Sequence, residues 1–482
     1  MTPGADLATL DATGQAALVR GGDASAAELV DAAIARIESL DTELNAVIHP
    51  LFDQAREAAK GGLPDGPFTG VPMLMKDIGA MVAGAPFHVG MRALKEAGFT
   101  APVDSVLTQR IRQAGFVICG KTNVPELGLV PTTEPVAYGA TKNPWDTGRT
   151  PGGSSGGAAA AVASGMVPLA HANDGGGSIR LPASMCGLVG LKPSRGRVTM
   201  GPVLGEPNAA LVSELAVTRT VRDTAAFLDA VHGPSPGDHY VAQPPTRPYV
   251  DELEADPGTL RIGVIAEPLL EDLTLDPVCA EHTRAAAEKL AALGHDVHDG
   301  RPGGLDQPGV MQTFTLRWAA NVDWTLNQMA AILGRELGPD DLETTTWALA
   351  EEGRKHGAAD LLEAIHQHQR MTRMLAAWWT EGNDLLLTPT VGEPPPELGT
   401  FTPPDGDPMG GFRRSTVTGQ YTALFNVTGQ PAISVPLGRS EEGLPIGVQL
   451  VAAHGREDLL IRVAAQLERE YPWADARPPV HA

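Results

Sequence analysis

The sequence predicts an α/β fold in one domain: a buried β-sheet flanked by helices, with a helical lobe over it. Three observations predict it. Short apolar runs at 71–75, 116–119 and 167–169 alternate with Gly/Pro loops and Ala-rich helical stretches, the texture of strands buried on both faces. Similar runs return at 384–388, 432–436 and 446–452, so chain from both sides of a middle segment contributes to one sheet. That middle segment, about 308–382, is helical in pattern, richer in charge, and holds Trp318, Trp324, Trp347, Trp378 and Trp379.

The elements follow in order. Residues 1–60 read as N-terminal helices. Ser25 and Glu28 have capping-box spacing, the serine accepting from the third helical amide while the glutamate reaches back. Leu29, Val30, Ala33, Ile34, Ile37 and Leu40 then fall on one helical face, and a second helix covers 51–60. Residues 61–235 and 384–470 are expected to carry the sheet core. A helix at 276–294 and a strand at 295–298 come between them. No repeat of fixed period is present.

Acidic residues number 58 against 36 Lys and Arg, a net charge of −22. That balance excludes nucleic acid and an anionic membrane as main partners, because phosphate binding needs a basic footprint. The 55 glycines and 41 prolines are scattered, which indicates tight loops instead of disorder. Cys119, Cys186 and Cys279 form neither a disulfide framework nor a zinc pair and read as buried thiols. The first residues lack the basic and apolar regions of a secretory signal, and no run is long enough to span a membrane. A cytoplasmic protein is expected.

Three places carry chemistry. In Gly70-Val-Pro-Met-Leu-Met-Lys76-Asp77, one of only eight lysines ends an apolar run. Desolvation there would lower its pKa and let it serve as a base, whereas a lysine snorkelling from a strand end or paired with Asp77 is the plainer alternative. In Pro151-Gly-Gly-Ser154-Ser155-Gly-Gly157, glycines flank paired hydroxyls and permit close backbone approach. No lysine follows, so this is not a phosphate loop. In Asp174-Gly-Gly-Gly-Ser178-Ile-Arg180, successive glycines can turn amides toward one point, as an oxyanion hole requires, with a serine placed to attack an acyl carbon. A serine needs a base, and His171 lies nearby without any special spacing.

Together these motifs resemble the amidase signature family of serine hydrolases. The resemblance extends through Gly120-Lys-Thr-Asn123, Cys186-Gly-Leu-Val-Gly-Leu-Lys-Pro193, Phe425-Asn426-Val-Thr-Gly-Gln-Pro-Ala-Ile-Ser434 and Gly443-Leu-Pro-Ile-Gly-Val-Gln449, in the right order and over essentially the whole chain. It implies a single domain with a large mixed, twisted sheet flanked by helices. It also implies a Ser–cis-Ser–Lys triad: Ser178 as nucleophile, Ser154 as the bridging serine after a cis peptide bond, and Lys76 as base. The backbone of Gly175, Gly176, Gly177 and Ser178 would form the oxyanion hole. Ser155, Asp174 and Arg180 become supporting residues, and no metal or organic cofactor is required.

The implied activity is hydrolysis of amide bonds through an acyl-enzyme. Phrases such as Thr132-Thr-Glu-Pro135, His171-Ala-Asn-Asp174 and Gly190-Leu-Lys-Pro-Ser-Arg-Gly196 are similar to the branch of the family that opens nylon-oligomer amides. The same machinery suits aryl amides, esters and carbamates; a glutamine-hydrolysing amidotransferase subunit and an inactive scaffold are weaker readings. The expected partner is a small amide or carbamate, with the chain a monomer or homodimer. Thr132, Thr133 and Asn426 are expected to line the substrate pocket, shaped by loops at 130–136, 194–207 and 404–420. Gly410 and Gly411 suggest a mobile segment there.

Overall fold

In the computed structural model, which describes residues 7–207, 210–270, 272–305 and 307–482, the apolar runs are strands of one sheet. In chain order they are β1 (Val47–Pro50), β2 (Pro72–Lys76), β3 (Val117–Thr122), β4 (Leu169–Asp174), β5 (Val189–Lys192) and β6 (Ser213–Thr218). The others are β7 (Arg261–Val264), β8 (Asp296–Asp299), β9 (Leu385–Pro389), β10 (Ala432–Arg439) and β11 (Pro445–Ala452). Among the described residues these eleven are ordered β1-β3-β2-β4-β6-β5-β10-β11-β9-β7-β8. The sheet is mixed. Strands β3, β2 and β4 run parallel, as do β9, β7 and β8, and the strands from β4 through β6, β5, β10 and β11 to β9 pair antiparallel.

Both faces are covered, which is why the strands read as continuous apolar runs. Leu385 and Leu387 join an apolar cluster with Ile34, Phe227 and Leu460 on one face. Leu386, between them, joins Trp318, Leu349 and Leu375 on the other. This is the period-two alternation of a strand with no solvent face.

The sheet also draws on β1, β7 and β8, outside the two segments expected to carry it. Strands β1 and β7, four residues each, offer too short an apolar run to register in sequence, whereas β8 falls within one residue of the strand expected at 295–298. Strand β4 continues past the expected 167–169 to Asp174, since His171, Asn173 and Asp174 are buried polar residues that interrupt the apolar pattern.

Helix Ala26–Leu44 begins with the capping box: Glu28 N–H donates to Ser25 Oγ at 3.2 Å, and Ser25 N–H donates to Glu28 Oε2 at 2.8 Å. Helix Pro277–Ala292 starts from Asp276 with proline in its first turn, where no intrahelical N–H is needed. The middle segment forms helices Val310–Leu333, Thr344–Arg354 and Ala358–Thr380. The segment with Gly410 and Gly411, read in sequence as a Gly-rich loop, forms helix Gly410–Gly419. Gly411 lies so close to the Phe401 carbonyl that a side chain there would clash, so this glycine serves packing. No helix among the described residues is long and apolar enough to cross a membrane.

Candidate active site

Lys76 closes β2 and Asp174 closes β4, and the two strands are parallel neighbours. Their carboxyl ends therefore open toward the same side, where α/β sheets commonly bind ligands. The side chain of Lys76 is fully buried. Its Nζ lies 2.8 Å from Ser154 Oγ and 2.6 Å from Asn173 Oδ1, with the Asn173 carbonyl at 3.5 Å. Burial pulls this amine down to about 7; the charges of Glu214 and Asp174 act in the opposite direction and are outweighed. A lysine at that value is largely neutral just above pH 7, as a general base must be.

Ser154 follows a cis peptide from Gly153. The loop is held tightly. Thr133 Oγ1 donates to the Gly152 carbonyl at 3.0 Å and accepts from Gly156 N–H at 3.1 Å. A Cβ on Gly153 would collide with the backbone of Thr132 and Val130, so glycine is required there. Ser155 Oγ donates to the Asn173 carbonyl at 3.3 Å.

Ser178 is half-buried in the turn between β4 and helix Arg180–Cys186. The turn is built around the Asp174 carboxylate, which accepts from Gly177 N–H at 2.7 Å, Ile179 N–H at 3.1 Å and the Arg180 guanidinium at 2.8 and 2.9 Å. Burial alone would raise the Asp174 carboxyl; the charge and hydrogen bonds of Arg180 hold it well below the usual carboxylate range. Gly177 N–H is thus occupied by Asp174 and is unavailable to an oxyanion, contrary to the sequence expectation. The amides of Gly175, Gly176 and Ser178 donate to no such partner among the described residues.

Ser178 and Ser154 line one cavity of about 370 Å³, walled by Phe87, Val89, Leu127 and Trp318. A narrower pocket of about 80 Å³ adjoins Ser178 on the side of Leu181, Phe314 and Phe412. Trp318 borders both. Helix Val310–Leu333 lays Asn321, Thr325 and Gln328 along the larger cavity, and Trp324 and Ile332 at its rim are about half exposed. All three expected loops reach these pockets, through Val130 and Pro131, Val203 and Leu204, and Phe412 and Ser415.

The Amidase family profile matches residues 28–461 of this chain. The chain belongs to the amidase family. It is a hydrolase of carbon–nitrogen bonds. The chain is similar to the 6-aminohexanoate-cyclic-dimer hydrolase of Paenarthrobacter ureafaciens, at 44% identity over 97% of this chain and 96% of the relative. The solved structure of a 6-aminohexanoate cyclic dimer hydrolase superposes with a TM-score of 0.95 at 43% identity, covering 99% of this chain and 100% of that one. A bacterial aryl acylamidase of the amidase signature family superposes at 0.86 with 28% identity, covering 97% and 98%.

Three pocket expectations for this amidase do not hold. Asn426 is buried behind the turn that carries Ser178, donating to the Asp174 carbonyl at 2.8 Å and the Leu211 carbonyl at 3.0 Å, and accepting from Arg180 at 2.6 Å. Thr133 braces the Ser154 loop. Thr132 donates to Thr150 at 2.8 Å and faces a separate cavity beside Glu126 and Glu343. Polar residues in a glycine-rich loop read alike from sequence whether they face substrate or hold backbone. His171 is no partner for Ser178 either: it lies behind Lys76, bound to the Lys76 amide and to Glu214. The sequence reading missed Asn173 and Glu214. Asn173 lies two residues from His171, on the same face of β4, a usable signal, whereas Glu214 comes near only through the pairing of β4 with β6. The three cysteines are buried, and burial pushes the Cys119 thiol up to about 12. Among the described residues no acidic, histidine or cysteine cluster is arranged to hold a metal.

Proposed function

We propose that this amidase hydrolyses carboxylic amide bonds of small, non-peptide, nylon-oligomer-like substrates through a Ser178–Ser154–Lys76 relay and an acyl-enzyme. The observation that carries the proposal is the buried contact of Lys76 Nζ with Ser154 Oγ at 2.8 Å, at the edge of a cavity that Ser154 shares with Ser178. Neutral Lys76 takes the Ser154 proton while Ser154 takes that of Ser178, whose Oγ bonds to the substrate carbonyl carbon. The amides of Gly175, Gly176 and Ser178 are the available donors for the tetrahedral oxyanion. As the C–N bond breaks, Ser154 returns a proton to the departing nitrogen. Water then enters by the reverse relay, and the acid leaves with Ser178 regenerated.

The cavity favours flexible alkyl amides: mostly apolar walls, a few polar groups along one helix, and a volume in the range that encloses a small molecule. The full-length similarity to a 6-aminohexanoate-cyclic-dimer hydrolase supports the same class. The aromatic wall of Phe314, Trp318 and Phe412 also favours a second reading, cleavage of aryl amides or carbamates. A hydrolysis panel decides between them, with Ser178→Ala as the blank and aminohexanoate cyclic dimer, linear oligomers, an anilide, an aryl carbamate and glutamine as substrates. Preferred turnover of aminohexanoate amides supports the first reading. Preference for the anilide or carbamate replaces it with the second.

A further inference from the structure

We propose that Asn173 and Glu214 are positioning residues that aim the Lys76 amine at Ser154, making the serine the proton donor in that contact. The inference rests on the relay proposed above.

The argument begins with register. Asn173 on β4 lies directly opposite Glu214 on β6 in an antiparallel ladder, so their side chains share a face. Gly79 makes room for them, since a Cβ there would clash with both Glu214 Oε1 and Asn173 Nδ2. Asn173 Nδ2 donates to the Ile78 carbonyl at 3.1 Å and to Glu214 Oε1 at 3.3 Å. Two acceptors on one side fix the amide orientation, because turning it over would set oxygen against oxygen. Asn173 Oδ1 must then face Lys76.

A neutral amine has two N–H bonds and one lone pair. The two Asn173 oxygens, at 2.6 and 3.5 Å, can only accept. They take the two N–H groups and leave the lone pair directed to Ser154 Oγ at 2.8 Å. Only the Ser154 hydroxyl can fill that position as donor, which sets the direction of proton flow from Ser178 through Ser154 to Lys76.

Glu214 is itself fixed. The Lys76 amide donates to His171 Nδ1 at 3.2 Å, so His171 carries its proton on Nε2 and donates to Glu214 Oε2 at 2.5 Å. The charged groups acting on the Lys76 amine are Glu214 from β6 and Asp174 from β4. Asp174 is neutralised by Arg180, and Asp77, next in sequence, is paired with Lys121 at 2.5 Å. Among the described residues Glu214 is therefore the carboxylate acting on this amine with no Lys or Arg paired to it.

The test is the pH dependence of Ser178 labelling by an alkyl fluorophosphonate, in which Ser178 Oγ bonds to phosphorus, fluoride leaves and the relay accepts the proton. In the wild type the rate should rise through a midpoint near 7. Glu214→Gln removes a negative charge and should move the midpoint down; Asn173→Asp adds one beside Nζ and should move it up by about one unit or more. Asn173→Ala should lower the plateau by at least about tenfold, since the amine is no longer aimed. Opposite displacements support positioning. Unmoved midpoints with only reduced amplitude overturn it, and Asn173→Asp alone decides the matter should Glu214→Gln not fold. Labelling with these displacements but no amide turnover would refute the substrate reading and leave this one standing. Absence of Ser178 labelling in the wild type would overturn both.

Discussion

Replacing Lys76 by methionine should change how stability depends on pH in a way the buried amine dictates. In the unfolded chain Lys76 is charged up to its ordinary 10.5, whereas in the folded protein it is neutral above about 7. Between those values the unfolded state binds one more proton, so the stability of the wild type rises with pH there. The slope is about 1.4 kcal/mol per pH unit, or about 5 kcal/mol over the whole interval. Lys76→Met removes this contribution and leaves every other titrating group in place. Its amine hydrogen bonds are lost as well, but at a cost nearly constant with pH in this range. Urea unfolding of both proteins from pH 7.5 to 9.5 should thus show the wild type gaining roughly 2–3 kcal/mol relative to the variant. Activity of the wild type should rise over the lower part of the same interval. A stability difference that stays constant from pH 7.5 to 9.5 would refute the reasoning, because it would mean that Lys76 remains charged in the fold.

Four further outcomes are expected. Ser178→Ala should abolish turnover and covalent labelling while leaving the unfolding midpoint near that of the wild type, since the hydroxyl makes no hydrogen bond within the described chain. Gly177→Ala should lower kcat by about a hundredfold or more, because Gly177 sits at φ +138° against Thr422 and Leu181, and a side chain there must displace the neighbouring amides proposed to hold the oxyanion. Arg180→Met should cost about 3–5 kcal/mol in denaturant unfolding by leaving the Asp174 carboxylate buried and unpaired. Trp318→Ala should join the two chambers beside Ser178, lose about 3–5 kcal/mol of stability, and raise kcat/KM for bulkier amides relative to small ones in a competition assay.

The sequence by itself determined the fold class and the pieces of the site that lie in contiguous motifs. Apolar runs such as 384–388 announce a buried strand because both faces need apolar side chains, and Ser25 with Glu28 announces a helix start because the cap is local. Lys76, Ser154 and Ser178 stood out for a related reason, a strand end before Lys76 and glycines beside the two serines, but their expected roles came from the order of motifs along the whole chain and not from any one stretch. The tertiary structure decided the rest. The hydrogen bond from Gly177 to Asp174, the burial of Asn426 behind the turn and the approach of Trp318 from the lobe depend on chain segments brought together across the fold. Glu214 illustrates the reason most plainly. It stands 41 residues from Asn173 in sequence, and only the antiparallel register of β4 with β6 sets it beside Lys76. Local chemistry is written in neighbouring residues, whereas the field and the walls of the site come from pairings that no short stretch of sequence encodes.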